Sequence, residues 1–244
     1  MTNDGIRELT QQDLDWVLDL SHRRRARIAP FAPRFWNPAP DAREVHATFL
    51  GNKIDNPDVL TIRTDHGFLF GYPGPDRLDI DDMALDAESR WPDDGIALLQ
   101  RAGSLAALNV VCPVPEPERR SAVEAVGLAV AESWWTKDLT PAADPEPPAD
   151  DPKITAADAS GVLVPAPPVY APGGPVLLAS NLGRDSGNPT GDALAELEQA
   201  AAAAGAVVAV VPQPVDDTAR AALLSRHGYL RTSDFHRGRT STGQ

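Results

Sequence analysis

The sequence predicts an α/β protein built from two related units. Short apolar runs typical of buried strands alternate with stretches in which apolar residues recur at helical spacing. Segment 140–152 interrupts this pattern with five prolines, four acidic residues and no basic residue. Such a composition cannot bury apolar area and is typical of a stiff, extended linker. We therefore expect one unit at residues 1–139, a linker at 140–152 and a shorter unit at 153–244.

The two units share a succession of elements that indicates an internal duplication. An apolar strand pair, a helix, a strand with two prolines, a helix ending in Gly plus an apolar residue, and a polar-aromatic strand follow one another in both. The spacing of corresponding glycines, Gly95/Gly191 and Gly127/Gly228, drifts by only a few residues, which loops absorb at little cost. A repeat of this length indicates a repeated structural unit.

The first unit carries extra elements before this shared part. A short strand, two helices and a further strand are predicted between residues 6 and 64, so the order β-α-α-β-β-β-α-β-α-β is expected for 6–139. The second unit keeps only the later half of this order.

Charge and cysteine usage exclude several classes of protein. The formal net charge of −13 argues against nucleic acid or an anionic membrane as a partner, because both need a basic face. The single cysteine, Cys112, excludes an intramolecular disulfide and fits a reducing cytoplasm. The sequence has no apolar run near eighteen residues and no N-terminal apolar segment, so we expect neither a membrane span nor secretion.

The stretch "IDDMALDAESRWPDDGIALL", taken with this element order, resembles the GNAT superfamily of acyl-CoA-dependent N-acetyltransferases. In that family a strand leads into a Q/R-x-x-G-x-G/A turn and a helix. Here the turn 90–95 keeps Arg90 and Gly95 but has Asp93 in place of the first glycine. The helix ends "AVGL" and "RHGY" add to the likeness. The resemblance implies a mixed, mostly antiparallel sheet flanked by helices, duplicated in tandem with the second copy truncated.

The resemblance also implies an acetyl-CoA site, without a metal, in the unit at residues 1–139. Pantetheine would insert between two splayed parallel strands, and the pyrophosphate would rest on backbone amides at a helix N-terminus, which favours anions. An amine of a small molecule or peptide would attack the thioester. The cofactor-binding residues implied in this sequence are Met83, Ala84, Leu85, Arg90, Trp91, Pro92, Asp93, Asp94, Gly95 and Ile96.

Asp81 and Asp82 are the candidate catalytic residues. Side chains alternate along a strand, so one of the two points into the cleft, where family members often carry a general base. The alternative is that both face solvent or pair with nearby arginines.

The acidic residues of the turn would repel the phosphates of the cofactor. A carboxylate ~5 Å from a phosphate costs roughly 3 kcal/mol at an effective dielectric of ~20. Asp93 and Asp94 therefore either turn outward while the amides still hold phosphate, or the turn has lost its ligand. The Tyr that protonates the leaving thiolate in the family is also absent, because Val123 and Leu224 stand at its position.

A second turn, 183–192, contains Ser186, Gly187, Thr190 and Gly191 at another helix start. Small residues there allow a phosphate to approach closely, but a flexible polar turn with Thr190 as N-cap is the favoured explanation. No acid lies on the preceding strand, which indicates a structural role for this unit.

The acceptor pocket is expected in segment 31–40, where Phe35 and Trp36 are candidates for lining it; packing against the core is the alternative. The basic run 22–27 either reaches an acidic ligand or ends a helix in solvent. The alternative function is a catalytically degenerate GNAT-like module for ligand sensing or protein interaction. Either a monomer or a homodimer is compatible with the duplication.

Overall fold

A computed structural model describes residues 5–143, 152–182 and 191–241. Contacts divide the chain into two units, and neither is continuous in sequence. The first comprises Met1–Ile28, Asp41–Ala131 and Asp234–Gln244; the second comprises Ala29–Pro40 and Glu132–Ser233. Most of the predicted linker and residues 183–190 of the second turn lie outside the described residues, so the predicted linker boundaries stay a prediction.

The first unit has a sheet with helices on both faces. Its elements are β1 (Arg7–Glu8), α1 (Leu14–Ile28), α2 (Ala42–Ile54), β2 (Leu60–Arg63), β3 (Gly67–Pro73), β4 (Arg77–Ile80), β5 (Met83–Leu85), α3 (Ile96–Gly103), β6 (Ala107–Pro113) and α4 (Pro117–Ala125).

Alternation along β3 shows how this sheet is covered. Phe68 and Phe70 pack with α1 and α2, whereas Leu69 between them packs with the core that contains α3 and α4. Successive side chains of a strand point to opposite faces, so an unbroken apolar run such as "GFLF" marks a strand buried on both sides. The strands follow the order β1-β2-β3-β4-β6, all antiparallel except the parallel pair β4–β6, and β5 pairs β3.

The second unit repeats the later part of this order. Its first strand, β7 (Ala129–Asp138), begins in the first unit, and its last, β12 (Leu230–Gly238), ends there. Between them lie β8 (Lys153–Ala156), β9 (Ala159–Val164), β10 (Val176–Leu182), α5 (Gly191–Ala203), β11 (Val208–Pro214) and α6 (Thr218–Arg226).

One parallel pair, β10–β11, stands among antiparallel strands in the order β7-β11-β10-β9-β8. Helices α5 and α6 cover one face of this sheet. Val176, Val208 and Val210 form the other face, on which Phe35 and Trp134 pack. Segment Ala29–Pro40 thus takes the place that α1 and α2 take in the first unit.

The prediction of a mixed, mostly antiparallel sheet flanked by helices is confirmed. The shared succession of elements occurs twice along the chain, and an internal duplication is our interpretation of it. β4 and β5 are separated at Asp81 and Asp82, and α3 ends at Gly103. No helix in the described part of the chain has the length and apolar character needed to cross a membrane.

Candidate functional site

The candidate site of the first unit lies where its parallel strand pair ends. β4 and β6 pair up to Ile80 and Val110. The chain then continues into β5, and relative to β3 it carries one extra residue between the two pairings. This makes a β-bulge at Asp81 and Asp82. The resemblance places pantetheine at this point, against the backbone of β5.

Arg119 of α4 hydrogen-bonds to backbone carbonyls of this region. Its side chain is fully buried and donates to the Met83 carbonyl at 2.9 Å and to the Asp81 carbonyl at 3.3 Å. Arg24 of α1 donates to the same Asp81 carbonyl at 3.3 Å, and the Met83 amide itself donates to that carbonyl at 3.0 Å. Both polar backbone groups of Met83 are therefore used within the protein.

A buried carboxylate balances the positive charge of the arginines. Glu116, at the start of α4, has a fully buried side chain and accepts from Nε and Nη2 of Arg24 at 3.0 Å. Arg27 donates to it at 2.8 Å, and Nη1 of Arg119 lies 3.7 Å away. Burial acts to raise the pKa of Glu116, but the charges of Arg24 and Arg119 outweigh it and lower the pKa to about 2. We call Arg24, Arg27, Glu116 and Arg119 the arginine–glutamate cluster.

The turn that would hold the pyrophosphate is helical and filled by an indole. A 3-10 turn, Glu88–Arg90, and a π-helical turn, Trp91–Gly95, run directly into α3. Trp91 is 2% exposed, and Arg119 lies over its ring at 5.7 Å from the centroid. A Cβ on Gly95 would lie 2.5 Å from the Trp91 ring. Gly95 thus makes room for Trp91.

Two residues of this turn offer no free N–H to an anion. Pro92 has no N–H, and the Ile96 amide donates to the Trp91 and Asp93 carbonyls. Arg90 and Asp93 are exposed and Asp94 is half-buried. Ala84 and Leu85 are buried in the core of the first unit. The residues of the first unit therefore do not fit the pantetheine and pyrophosphate that the resemblance implies.

Asp82 is held in a hydrogen-bonded chain. Tyr72 donates to its Oδ2 at 2.5 Å, and His46 Nε2 lies 3.2 Å from its Oδ1. His46 Nδ1 accepts from Arg25 at 2.9 Å, which fixes the imidazole proton on Nε2, facing Asp82. Burial acts to raise the pKa of Asp82, but the hydrogen bonds from His46 and Tyr72 and the charge of Arg24 lower it. Both oxygens of this carboxylate are engaged by donors, which suits a structural role; Asp81 next to it is exposed.

Replacing Asp82 by alanine is expected to lower the free energy of unfolding by about 2 to 3 kcal/mol, because the His46 and Tyr72 donors lose their acceptor. The matched control is Asp81→Ala, at an exposed neighbour, with an expected effect within about 0.5 kcal/mol. Urea unfolding of the two variants measures both. Equal effects at the two positions would remove the structural role of Asp82.

Phe35 and Trp36, the candidates for the acceptor pocket, belong to the second unit. Trp36 is 5% exposed and packs on Phe31 and Phe35, with ring centroids 6.2 and 5.9 Å apart. Phe35 packs on the valine face of β10 and β11. Arg34 anchors the segment by donating to the Leu139 carbonyl at 2.7 Å. The structure therefore groups neither aromatic residue with Asp81 or Asp82.

At the corresponding place in the second unit, the arginine makes different contacts. Its parallel pair ends at Leu178 and Val210, and β10 carries a bulge at Ser180. Arg220 follows the N-cap of α6 by three residues, as Arg119 follows that of α4. However, Arg220 donates to the Pro212 carbonyl of β11 at 2.9 Å and pairs with Asp217 at 3.2 Å. In this unit the arginine is thus held at β11 and its own helix.

Sequence reasoning missed the arginine–glutamate cluster. From the sequence, the basic run 22–27 was expected either to reach an acidic ligand or to end a helix in solvent. In the structure Arg24 turns inward to Glu116, and Arg25 is 6% exposed. The available signal was Glu116 three residues before Arg119 at a helix start, a spacing that allows an ion pair. Val123 and Leu224, at the position of the family Tyr, are both fully buried core residues.

Groups of His, Cys, Asp and Glu able to hold a metal ion do not occur among the described residues. Cys112 is buried, and burial raises the pKa of its thiol to about 11.

The architecture is that of the GNAT acetyltransferases. No model of a protein family matches the sequence, and neither does any curated protein. Solved structures do match. A GCN5-related N-acetyltransferase from Sphaerobacter thermophilus aligns with a TM-score of 0.59 at 10% identity, over 98% of this chain and 96% of that one. A candidate acetyltransferase from Thermoplasma acidophilum aligns at 0.58 and 11% identity, over 96% and 99%.

A GNAT-family acetyltransferase from Colwellia psychrerythraea aligns with a TM-score of 0.50 at 9% identity, over 97% of this chain and 99% of that one. These likenesses span both units and confirm the predicted GNAT fold.

Proposed function

We propose that this protein is an acetyl-CoA-dependent N-acetyltransferase that acts on an amine of a small molecule or peptide, and that the second unit binds the acetyl-CoA. The fold supports the general class. The contrast between Arg119 and Arg220 supports the choice of unit, since the first arginine takes the backbone groups of β5 and the second is held at β11. We expect this activity in the cytoplasm, without a metal, and from a monomer or homodimer.

This choice departs from the structural role that the sequence indicated for the second unit, but the composition of the second turn is compatible with it. Gly187 and Gly191 with Ser186 and Thr190 offer small residues at a helix start, where backbone amides and the helix dipole favour phosphate. In the first unit, by contrast, the corresponding glycine accommodates Trp91.

Calorimetric titration of the full chain with acetyl-CoA and with CoA tests this proposal. In the variant Gly187→Asp, a carboxylate in the second turn is expected to weaken binding by about 100-fold. The matched control Asp93→Asn changes the charge of the first turn and should leave the affinity unchanged. An affinity that follows Asp93 and ignores Gly187 would place the cofactor in the first unit and overturn the proposal. Release of CoA thiol with a panel of amines then identifies the acceptor.

A second candidate function is a non-catalytic GNAT-fold module for ligand sensing or protein interaction. The arginine–glutamate cluster and Trp91 favour it for the first unit, and the absence of the family Tyr in both units favours it for the whole chain. No binding of either cofactor form at about 1 mM would select this function.

A further inference from the structure

A groove remains beside the altered turn of the first unit. It measures about 620 Å³ and lies between the turn 88–96 and helix α4. This volume falls within the range of small-molecule sites. Pro92 and Ile96 on one side and Pro117 and Ala125 on the other give it apolar walls, and Glu88 and Glu118 lie along it.

The charged residues that line this groove are Glu88 and Glu118. Glu88 is half-buried and paired with Arg27, whereas the Glu118 carboxylate is exposed. A phosphate or carboxylate ligand would meet repulsion from Glu118, and an ammonium group would be attracted. The groove therefore favours a cationic ligand over the anionic cofactor that the resemblance implies.

We propose that this groove binds a small molecule with an apolar body and an ammonium group. The apolar walls take up the body and Glu118 faces the cation. This site is independent of the proposed acetyl-CoA site in the second unit.

Two probes that differ in charge test the site on the full chain. Dansylcadaverine carries an ammonium group, and dansyl-6-aminohexanoate carries a carboxylate on the same fluorophore. We expect dansylcadaverine to bind with a blue-shifted, enhanced emission and at least about tenfold more tightly than the anionic probe. Binding should weaken as salt rises, because the attracting carboxylate is exposed to solvent.

Two variants locate the probe. Ala125→Trp at the exposed wall should fill the groove and abolish binding, whereas Ala222→Trp at an exposed position of α6 is the matched control and should leave it intact. Glu118→Gln should weaken dansylcadaverine about threefold to tenfold and leave the anionic probe unchanged or tighter. Equal affinity for the two probes, binding that survives Ala125→Trp, or no binding of dansylcadaverine at about 1 mM would each overturn the proposal.

Discussion

Replacing Glu116 by alanine is expected to lower the free energy of unfolding by about 3 to 5 kcal/mol. The variant leaves the buried guanidinium groups of Arg24 and Arg119 without their counter-charge, and Arg119 has no exposed surface on which to recover hydration. A buried ion pair that loses one partner costs far more than the pair contributes, because an uncompensated charge remains in a region of low dielectric. Urea unfolding with constant m-value measures the loss.

Glu118→Ala is the matched control, two residues along the same helix and exposed, with an expected effect within about 0.5 kcal/mol.

The arginine–glutamate cluster also predicts that stability depends on pH. The pKa of Glu116 is about 2 in the folded chain and 4.5 ordinarily, so its contribution is complete above pH 4.5 and disappears as the pH falls toward 2. This contribution amounts to about 3 kcal/mol. The stability difference between the wild type and Glu116→Gln should therefore shrink between about pH 5 and pH 2. A difference that stays constant over this range would show that folding does not lower the pKa of Glu116.

The local patterns of the sequence were sufficient for the elements and the fold class. Apolar period and glycine-ended helices identify the helices and strands, because these signals arise within ten or fifteen residues. The division into units was harder to predict, since segment Ala29–Pro40 packs with residues more than 100 positions later. Nothing local in "FAPRFW" indicates which unit its aromatic residues join.

The site shows the same limit. Arg90 and Gly95 match the family turn, but their role depends on Trp91, whose ring lies against Gly95. A glycine is needed wherever a group approaches the backbone closely, and the sequence alone does not say whether that group is a phosphate or an indole. Likewise, the arginines of run 22–27 gain their meaning from Glu116, roughly ninety residues away.

The two units thus differ in what occupies equivalent places. In the first, Arg119 and Trp91 take from within the protein the places that the resemblance assigns to a cofactor. In the second, the corresponding arginine is held by Asp217. A duplicated chain would permit the proposed division, because one unit could lose its ligand while the other kept the function.

Trp91 and Gly95 allow the two explanations of the turn to be separated by stability alone. Trp91→Ala is expected to lower the free energy of unfolding by about 3 to 5 kcal/mol, through lost burial and the cavity left behind. Gly95→Ala in the wild-type background should cost about 1 to 3 kcal/mol, because the new Cβ would lie 2.5 Å from the indole. In the Trp91→Ala background the same change should be neutral or stabilising by up to about 1 kcal/mol, since Gly95 has helical φ and ψ of −63° and −47° and alanine favours a helix.

The double-mutant cycle over these four proteins measures the coupling free energy directly. A coupling of about 2 kcal/mol or more would mean that Gly95 is present to accommodate Trp91. If the glycine instead served to admit a phosphate, Gly95→Ala would not depend on residue 91 and would stabilise the free protein in both backgrounds through helix propensity. Its cost would then appear only in the affinity for CoA. The sign of the change in unfolding free energy caused by Gly95→Ala, measured in the two backgrounds, therefore decides between two explanations. Either the first unit keeps a cofactor turn, or its own tryptophan has replaced the cofactor.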